Sequence, residues 1–223
     1  MKNTSFPSPF ICLLSGLMLI FPGCVEKTPA ASDEPEGSHA RMALGIVGPG
    51  AVVGNFYENP TLQLELPIPS GWEIADRSPV QALFEAWDSS QGVDSLPATF
   101  LLSAARILPD GAVGIKSNYF LQIEPASYYP DFASDPALYL TAVGEQLAQG
   151  AGQQILYPVR VDTLGQRAVQ RLDVGFSFGE YPGKQTYYTW QDKGLFVNLV
   201  FTYADDSEWT FFSSQIIDGI HLE

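Results

Sequence analysis

Beyond residue 50 the chain runs in short apolar stretches broken by Gly, Pro, Asn and Asp, and two spacings recur. Alternation of apolar and polar residues marks strands, and apolar residues three or four apart mark helices. Residues 52–57 and 61–66 predict two strands joined through Glu58-Asn59-Pro60; in the second, Leu62, Leu64 and Leu66 alternate with Gln63 and Glu65. Ser78-Pro79 has the form of a helix N-cap followed by proline at the first helical position, and Val80, Leu83, Phe84 and Trp87 continue at helical spacing. Strands are predicted over 99–107 and 118–124. Asp135-Pro136 then opens a helix over 137–149, with Leu140, Val143 and Leu147 along one stripe. Three strands follow, over 155–161, 167–178 and 184–192, and Asp192-Lys193-Gly194 turns into a fourth over 195–203. A last helix starts at Asp205, with Glu208 placed as its capping-box partner.

Neighbouring strands are joined by hairpins, which pair antiparallel, and helices appear only between groups of strands. The predicted fold is therefore α+β: an antiparallel sheet of about six to seven strands with helices packed on it. A doubly wound parallel sheet would need a helix after nearly every strand.

The first 50 residues follow different rules. An apolar run over 10–21 follows a start carrying one cation, Lys2, and ends at Pro22-Gly23-Cys24. Twelve residues are too few to span a bilayer, which takes ~20, so the run has the form of a secretion signal core. A cysteine at its end is where a lipoprotein is cleaved and acylated. Residues 25–40 carry Glu26, Asp33, Glu34 and Glu36 against Lys27, with Pro29 and Pro35 among small residues, a composition that stays solvated and extended. The expected organisation is a signal over 1–23, an acidic tether over 24–50 and one folded domain over 51–223. Phe21 and Pro22 depart from the usual lipoprotein signal. The alternative is an ordinary secretory signal cut near Ala30 or Ala31. Cys12 lies inside the signal, so Cys24 would be the lone cysteine of the mature chain, and acylation would dispose of its thiol.

The 223 residues include 11 Lys and Arg against 25 Asp and Glu, a formal net charge of −14, and loss of Lys2 with the signal takes this to −15. No basic cluster occurs, so nucleic acid and electrostatic docking to anionic lipid are excluded as partners. Membrane attachment would then come through the acyl anchor.

The motifs Gly54-Asn55-Phe56-Tyr57-Glu58-Asn59-Pro60, Leu62-Gln63-Leu64-Glu65-Leu66-Pro67 and Gly71-Trp72 together resemble the opening of PsbP-like domains. The resemblance extends to about Leu222 through a mid-chain helix, an aromatic hairpin and a terminal helix with an apolar end. It implies an α/β/α sandwich. Members of that family include an extrinsic photosystem II subunit, a nuclear Ran-binding import factor and bacterial envelope lipoproteins, so it also implies binding or assembly work without catalysis.

Catalytic constellations are scarce. Gly175-Phe176-Ser177-Phe178-Gly179 matches the nucleophile-elbow pattern, but turn residues 180–183 follow where that motif needs a helix. The histidines, His39 and His221, lack metal-ligand spacing, and Gly48-Pro49-Gly50 followed by Gly54 has the wrong spacing for a dinucleotide loop. Asp205, Asp206 and Glu208 fit a helix start better than a calcium loop. No cofactor, metal or catalytic residue is assigned. The candidate binding surface is aromatic: Tyr128, Tyr129 and Phe132 in a loop, and Tyr181, Tyr187, Tyr188 and Trp190 around the late hairpin. Its expected partner is an unidentified envelope protein, with a small apolar or lipid ligand as the alternative.

Overall fold

In the computed structural model, the residues described are 45–74, 98–108, 114–132, 134–150 and 152–223. The expected signal, Cys24, most of the tether and the expected helix over 80–87 lie outside them. Among the described residues eleven strands form two sheets, every pair antiparallel. The smaller sheet orders β1 (Ala51–Val53), β2 (Phe56–Asn59), β3 (Leu64–Pro67) and β11 (His221–Leu222) side by side. The larger contains β4 (Trp72–Ile74), β5 (Thr99–Arg106), β6 (Asn118–Pro125), β7 (Gln154–Leu164), β8 (Arg167–Phe178), β9 (Tyr181–Asp192) and β10 (Leu195–Tyr203), in the order β4-β5-β6-β10-β9-β8-β7.

Two core clusters lie on opposite faces of the larger sheet. On one face Phe120, Phe196, Val200, Leu172, Val174 and Tyr187 pack under α1 (Pro136–Leu147), which buries Tyr139, Leu140, Val143 and Leu147. On the other, Tyr119, Leu121, Ile123, Val197, Leu199 and Phe201 pack against both the small sheet and α2 (Asp206–Gln215). The large sheet and its helices agree with expectation. The second sheet does not: helices alone were expected to cover it, whereas Leu62, Leu64, Leu66 and Leu222 make half of one covering layer. The Tyr119 hydroxyl ties the sheets together by donating to the Pro67 carbonyl at 2.8 Å.

Several boundaries moved for local reasons. The strand expected over 52–57 is broken by Gly54-Asn55, a two-residue turn with Gly54 at φ +61°. The expected turn through Glu58-Asn59-Pro60 falls at 60–63, directly after β2: Asn59 ends the strand, and its Oδ1 accepts from the Leu62 amide at 3.1 Å. β7 runs on to Leu164 and β9 begins at Tyr181, so Pro182-Gly183 lies within a strand and the connecting turn shrinks to Gly179-Glu180. At the Lys193-Gly194 turn both residues have positive φ, +48° and +75°, the geometry that two-residue hairpins favour.

The helices are capped as their sequences imply. Asp135 Oδ1 accepts from the amides of Ala137 and Leu138, and Asp205 Oδ1 from those of Ser207 and Glu208. Glu208 reaches back to the Ala204 amide at 2.7 Å. α2 is held further by Arg171 of β8, whose guanidinium lies over the Trp209 and Tyr188 rings at 4.8 and 5.5 Å from their centroids. The same Arg171 pairs with Asp162 at 3.1 Å and Asp173 at 3.0 Å, and Arg160 also pairs with Asp173. Burial pushes the Asp173 carboxyl up, but hydrogen bonds from Thr186, Arg160 and Arg171 outweigh it and hold the group below the usual range.

Phe212 is the apolar pivot of α2, fully buried against Trp72, Phe201 and Tyr203 at centroid distances of 5.6, 5.1 and 6.1 Å. Phe212→Ala should cost about 3–5 kcal/mol, read as a lower urea midpoint at unchanged slope.

Candidate functional site

β6 carries a row of buried polar side chains that ends at Glu124. Asn118, Phe120, Gln122 and Glu124 share the face under α1, so this strand buries three polar side chains beside one ring. Their neighbours across β10 and β9 include Asn198, Thr202, Gln185 and Thr189, also buried. Pro125 ends the strand. The chain then turns repeatedly: the Ala126 amide donates to the Gly194 carbonyl, Tyr129 to Ala126, Phe132 to Tyr129 and Asp135 to Phe132, at 2.8–3.0 Å. This ladder of turns folds the aromatic loop back over Glu124 and delivers the chain to α1.

Glu124 is pinned by neutral donors. Gln122 Nε2 donates to Oε1 at 2.8 Å, Asn198 Nδ2 to the same oxygen at 3.3 Å, and the Tyr129 hydroxyl to Oε2 at 2.6 Å. Asn198 Nδ2 also donates to the Tyr139 hydroxyl at 3.2 Å, while its Oδ1 accepts from Thr189 at 2.7 Å. The Tyr139 ring stacks on Phe196 at 4.1 Å, and Tyr129 meets Tyr139 edge-on at 5.2 Å. Burial pushes the Glu124 carboxyl up, opposed by hydrogen bonds from Tyr129, Tyr139 and Gln122. Tyr129 and Tyr139 are raised well above the ordinary phenol value, by burial first and then by the carboxylate beside them. A buried acid of this kind marks a candidate site. With tyrosines and amides around it, its evident work is to position the loop.

The aromatic residues expected to form one surface divide into three groups. Tyr128, Tyr129 and Phe132 are half-buried, with Tyr129 and Phe132 packed on the α1 core. Tyr181 is also half-buried but lies at the far end of β9, some twelve residues or ~40 Å of extended chain from the Lys193-Gly194 turn beside the loop. Tyr187, Tyr188 and Trp190 are buried, which removes them from any surface. The reason is that β9 is covered on both faces: Tyr187 lies under α1, and Tyr188 and Trp190 lie in the opposite core. Sequence reasoning missed Glu124, Gln122 and Asn198. The signal was there: Asn118, Gln122 and Glu124 have the same parity within a strand whose other residues are nearly all apolar.

Geometry separates Ser177 from His221, the histidine among the described residues, so the two form no catalytic pair. Ser177 lies in β8 opposite Pro182 and is followed by a hairpin into β9. His221 lies in β11, beside the β7–β8 turn, where the Gln166 amide donates to the Leu222 carbonyl at 3.2 Å. Ser177 is ten residues along β8 from Arg167, about 33 Å of strand. Asp205 and Glu208 are engaged in capping, Asp206 pairs with Lys184, and among the described residues no group of three or more His, Cys, Asp or Glu could hold a metal ion.

No protein-family model matches the chain, and no curated protein matches it. Similar solved structures exist. A cyanobacterial PsbP from Synechocystis sp. PCC 6803 is 13% identical at a TM-score of 0.45, over 78% of this chain and 98% of its own. LpqN of Mycobacterium tuberculosis, described as involved in cell envelope biogenesis, is 13% identical at 0.44, over 71% and 82%. A Bacteroides thetaiotaomicron protein is 11% identical at 0.37, over 72% and 45%.

Because the folded Glu124 carboxyl is raised, its protonated form favours the folded state: this contribution is full below the unfolded pKa and is lost as pH rises through the folded value. Asp173, lowered, acts in the opposite sense, losing stability as pH falls. The difference between wild type and Glu124→Gln isolates the first effect. Between pH 5 and 8 wild type should lose more stability than the variant in urea titrations, and equal losses would place Glu124 in a solvated site.

Proposed function

We propose that this chain is a non-catalytic envelope lipoprotein whose domain, tethered through acylated Cys24, binds a protein partner with the loop carrying Tyr128, Tyr129 and Phe132. The observation behind the binding surface is the pin at Glu124. A loop of half-buried rings is fixed from below by a buried carboxylate, so little ordering remains to be done when a partner docks. Aromatic side chains held in this way suit interface anchors. Support for the tether comes from the residues before the fold: an apolar core too short to span, a cysteine at its end, and an acidic Pro-rich stretch. Among the described residues no helix is long and apolar enough to cross a membrane.

Expression in a bacterial host beside Cys24→Ala tests the anchor. Wild type should gain the mass of a lipidated cysteine and fractionate with membranes, and the variant should not. Equal solubility with cleavage near Ala30 would remove the anchor and leave a free secreted domain. The loop is tested separately by photocrosslinking from position 128 in the intact envelope. A discrete protein adduct, lost when Phe132→Ala is added, supports the docking surface; a lipid or small-molecule adduct favours a ligand-binding module instead.

A further inference from the structure

Among the described residues β7 is the long edge of the large sheet with no partner strand on its outer side, and it carries the most exposed large apolar residues of that set, Val161 at 68% and Tyr157 at 60%. Its two halves differ. Pro158 and register shifts on either side of Tyr157 interrupt the first half, features that blunt an edge. From Arg160 to Leu164 the pairing with β8 is regular. Leu164 faces Arg167 across the two-residue turn Gly165-Gln166, so Leu164, Asp162 and Arg160 turn their amides toward β8, and Val159, Val161 and Thr163 turn theirs outward. The Thr163 amide, donating to the side chain of Asp162 at 2.8 Å, agrees with that parity.

We propose that β7 pairs antiparallel with β7 of a second copy of this chain, on a two-fold axis through Val161, joining two seven-stranded sheets edge to edge. Charge selects the axis. Centred on Val161, the pairing sets Arg160 opposite Asp162 of the second copy, and Asp162 opposite Arg160, while Val161 meets itself and Val159 meets Thr163. Moving the axis one residue either way keeps the outward amides usable but places Arg160 against Arg160, or Asp162 against Asp162. Like charges directly opposite destabilise a strand pair, and opposite charges stabilise it. In the selected register Arg160, already paired with Asp173, and Asp162, already paired with Arg171, extend these contacts into one alternating network across both copies. Pro158 would limit pairing to the regular half, so the contact is small and the association weak. The inference depends on neither the anchor nor the aromatic loop.

Val161→Cys in the full chain, expressed in a bacterial host and purified in mild detergent, tests the axis. Residues directly opposite in a hydrogen-bonded antiparallel pair lie about 5.5 Å apart at Cα, within disulfide reach. Mild oxidation should give a dimer in which peptide mass shows a disulfide joining the introduced cysteines, position 161 to position 161. Thr163→Cys should not, because its two copies would lie four residues apart in register, about 13 Å. Val161→Pro supplies a second test: it deletes an outward amide that β8 does not use, so thermal melting should stay within a few degrees while sedimentation shows at least a tenfold weaker dimer. Equal crosslinking at 161 and 163, a Val161→Cys chain that stays monomeric, or capture of an unrelated strand in place of a second copy would each overturn the proposal.

Discussion

Burial of the β6–β10 pair on both faces is the constraint on which the rest of this structure depends. Every residue of both strands is buried. An antiparallel pair usually leaves one face to water, and the alternating pattern along its strands then shows which. Here both faces need a cover. α1 supplies one, with Tyr139 stacked on Phe196 and Leu140, Val143 and Leu147 beside it. The other takes two elements far apart in the chain, the sheet built on Leu62, Leu64 and Leu66 and the helix built on Phe212 and Ile216. Leu222, next to last in the sequence, completes that cover by pairing with Leu64.

Covering both faces traps polar groups, and the two sides deal with them differently. Under α1, Glu124 is held by amides and phenols, and burial outweighs them, which raises its pKa. Asp173, at the outer strands, meets two guanidiniums and the Thr186 hydroxyl, which lower it. A buried carboxylate is costly in either setting unless it is satisfied. The difference decides what each can do. The Arg160–Asp173–Arg171–Asp162 cluster joins α2 to the outer strands, whereas Glu124 fixes a loop that lies partly open to solvent.

Much of the fold was legible. β8 and β10 have the bounds that alternation and turn residues imply, and both described helices start at their Asp caps. Strong local signals did this work: Lys193-Gly194 can adopt positive φ, and Asp135 and Asp205 satisfy the first helical amides. The candidate surface was less legible. Tyr187, Tyr188 and Trp190 have opposite parities, which implied that some faced water, but parity does not say how many faces are covered. The same gap hid Glu124, which in an exposed strand would be an ordinary solvated acid.

By itself the sequence determined the antiparallel α+β character of the chain, its caps and hairpins, its acidic charge and the absence of any basic patch, because each is set by residues near one another or by composition. Only the tertiary structure decided that β1, β2, β3 and β11 leave the main sheet to form a second one, that β9 loses both its faces, and that Tyr129 closes over Glu124. Those outcomes turn on which distant surfaces exclude water together, such as Leu64 against Leu222 and Asn198 against Tyr139, and no local pattern encodes that choice.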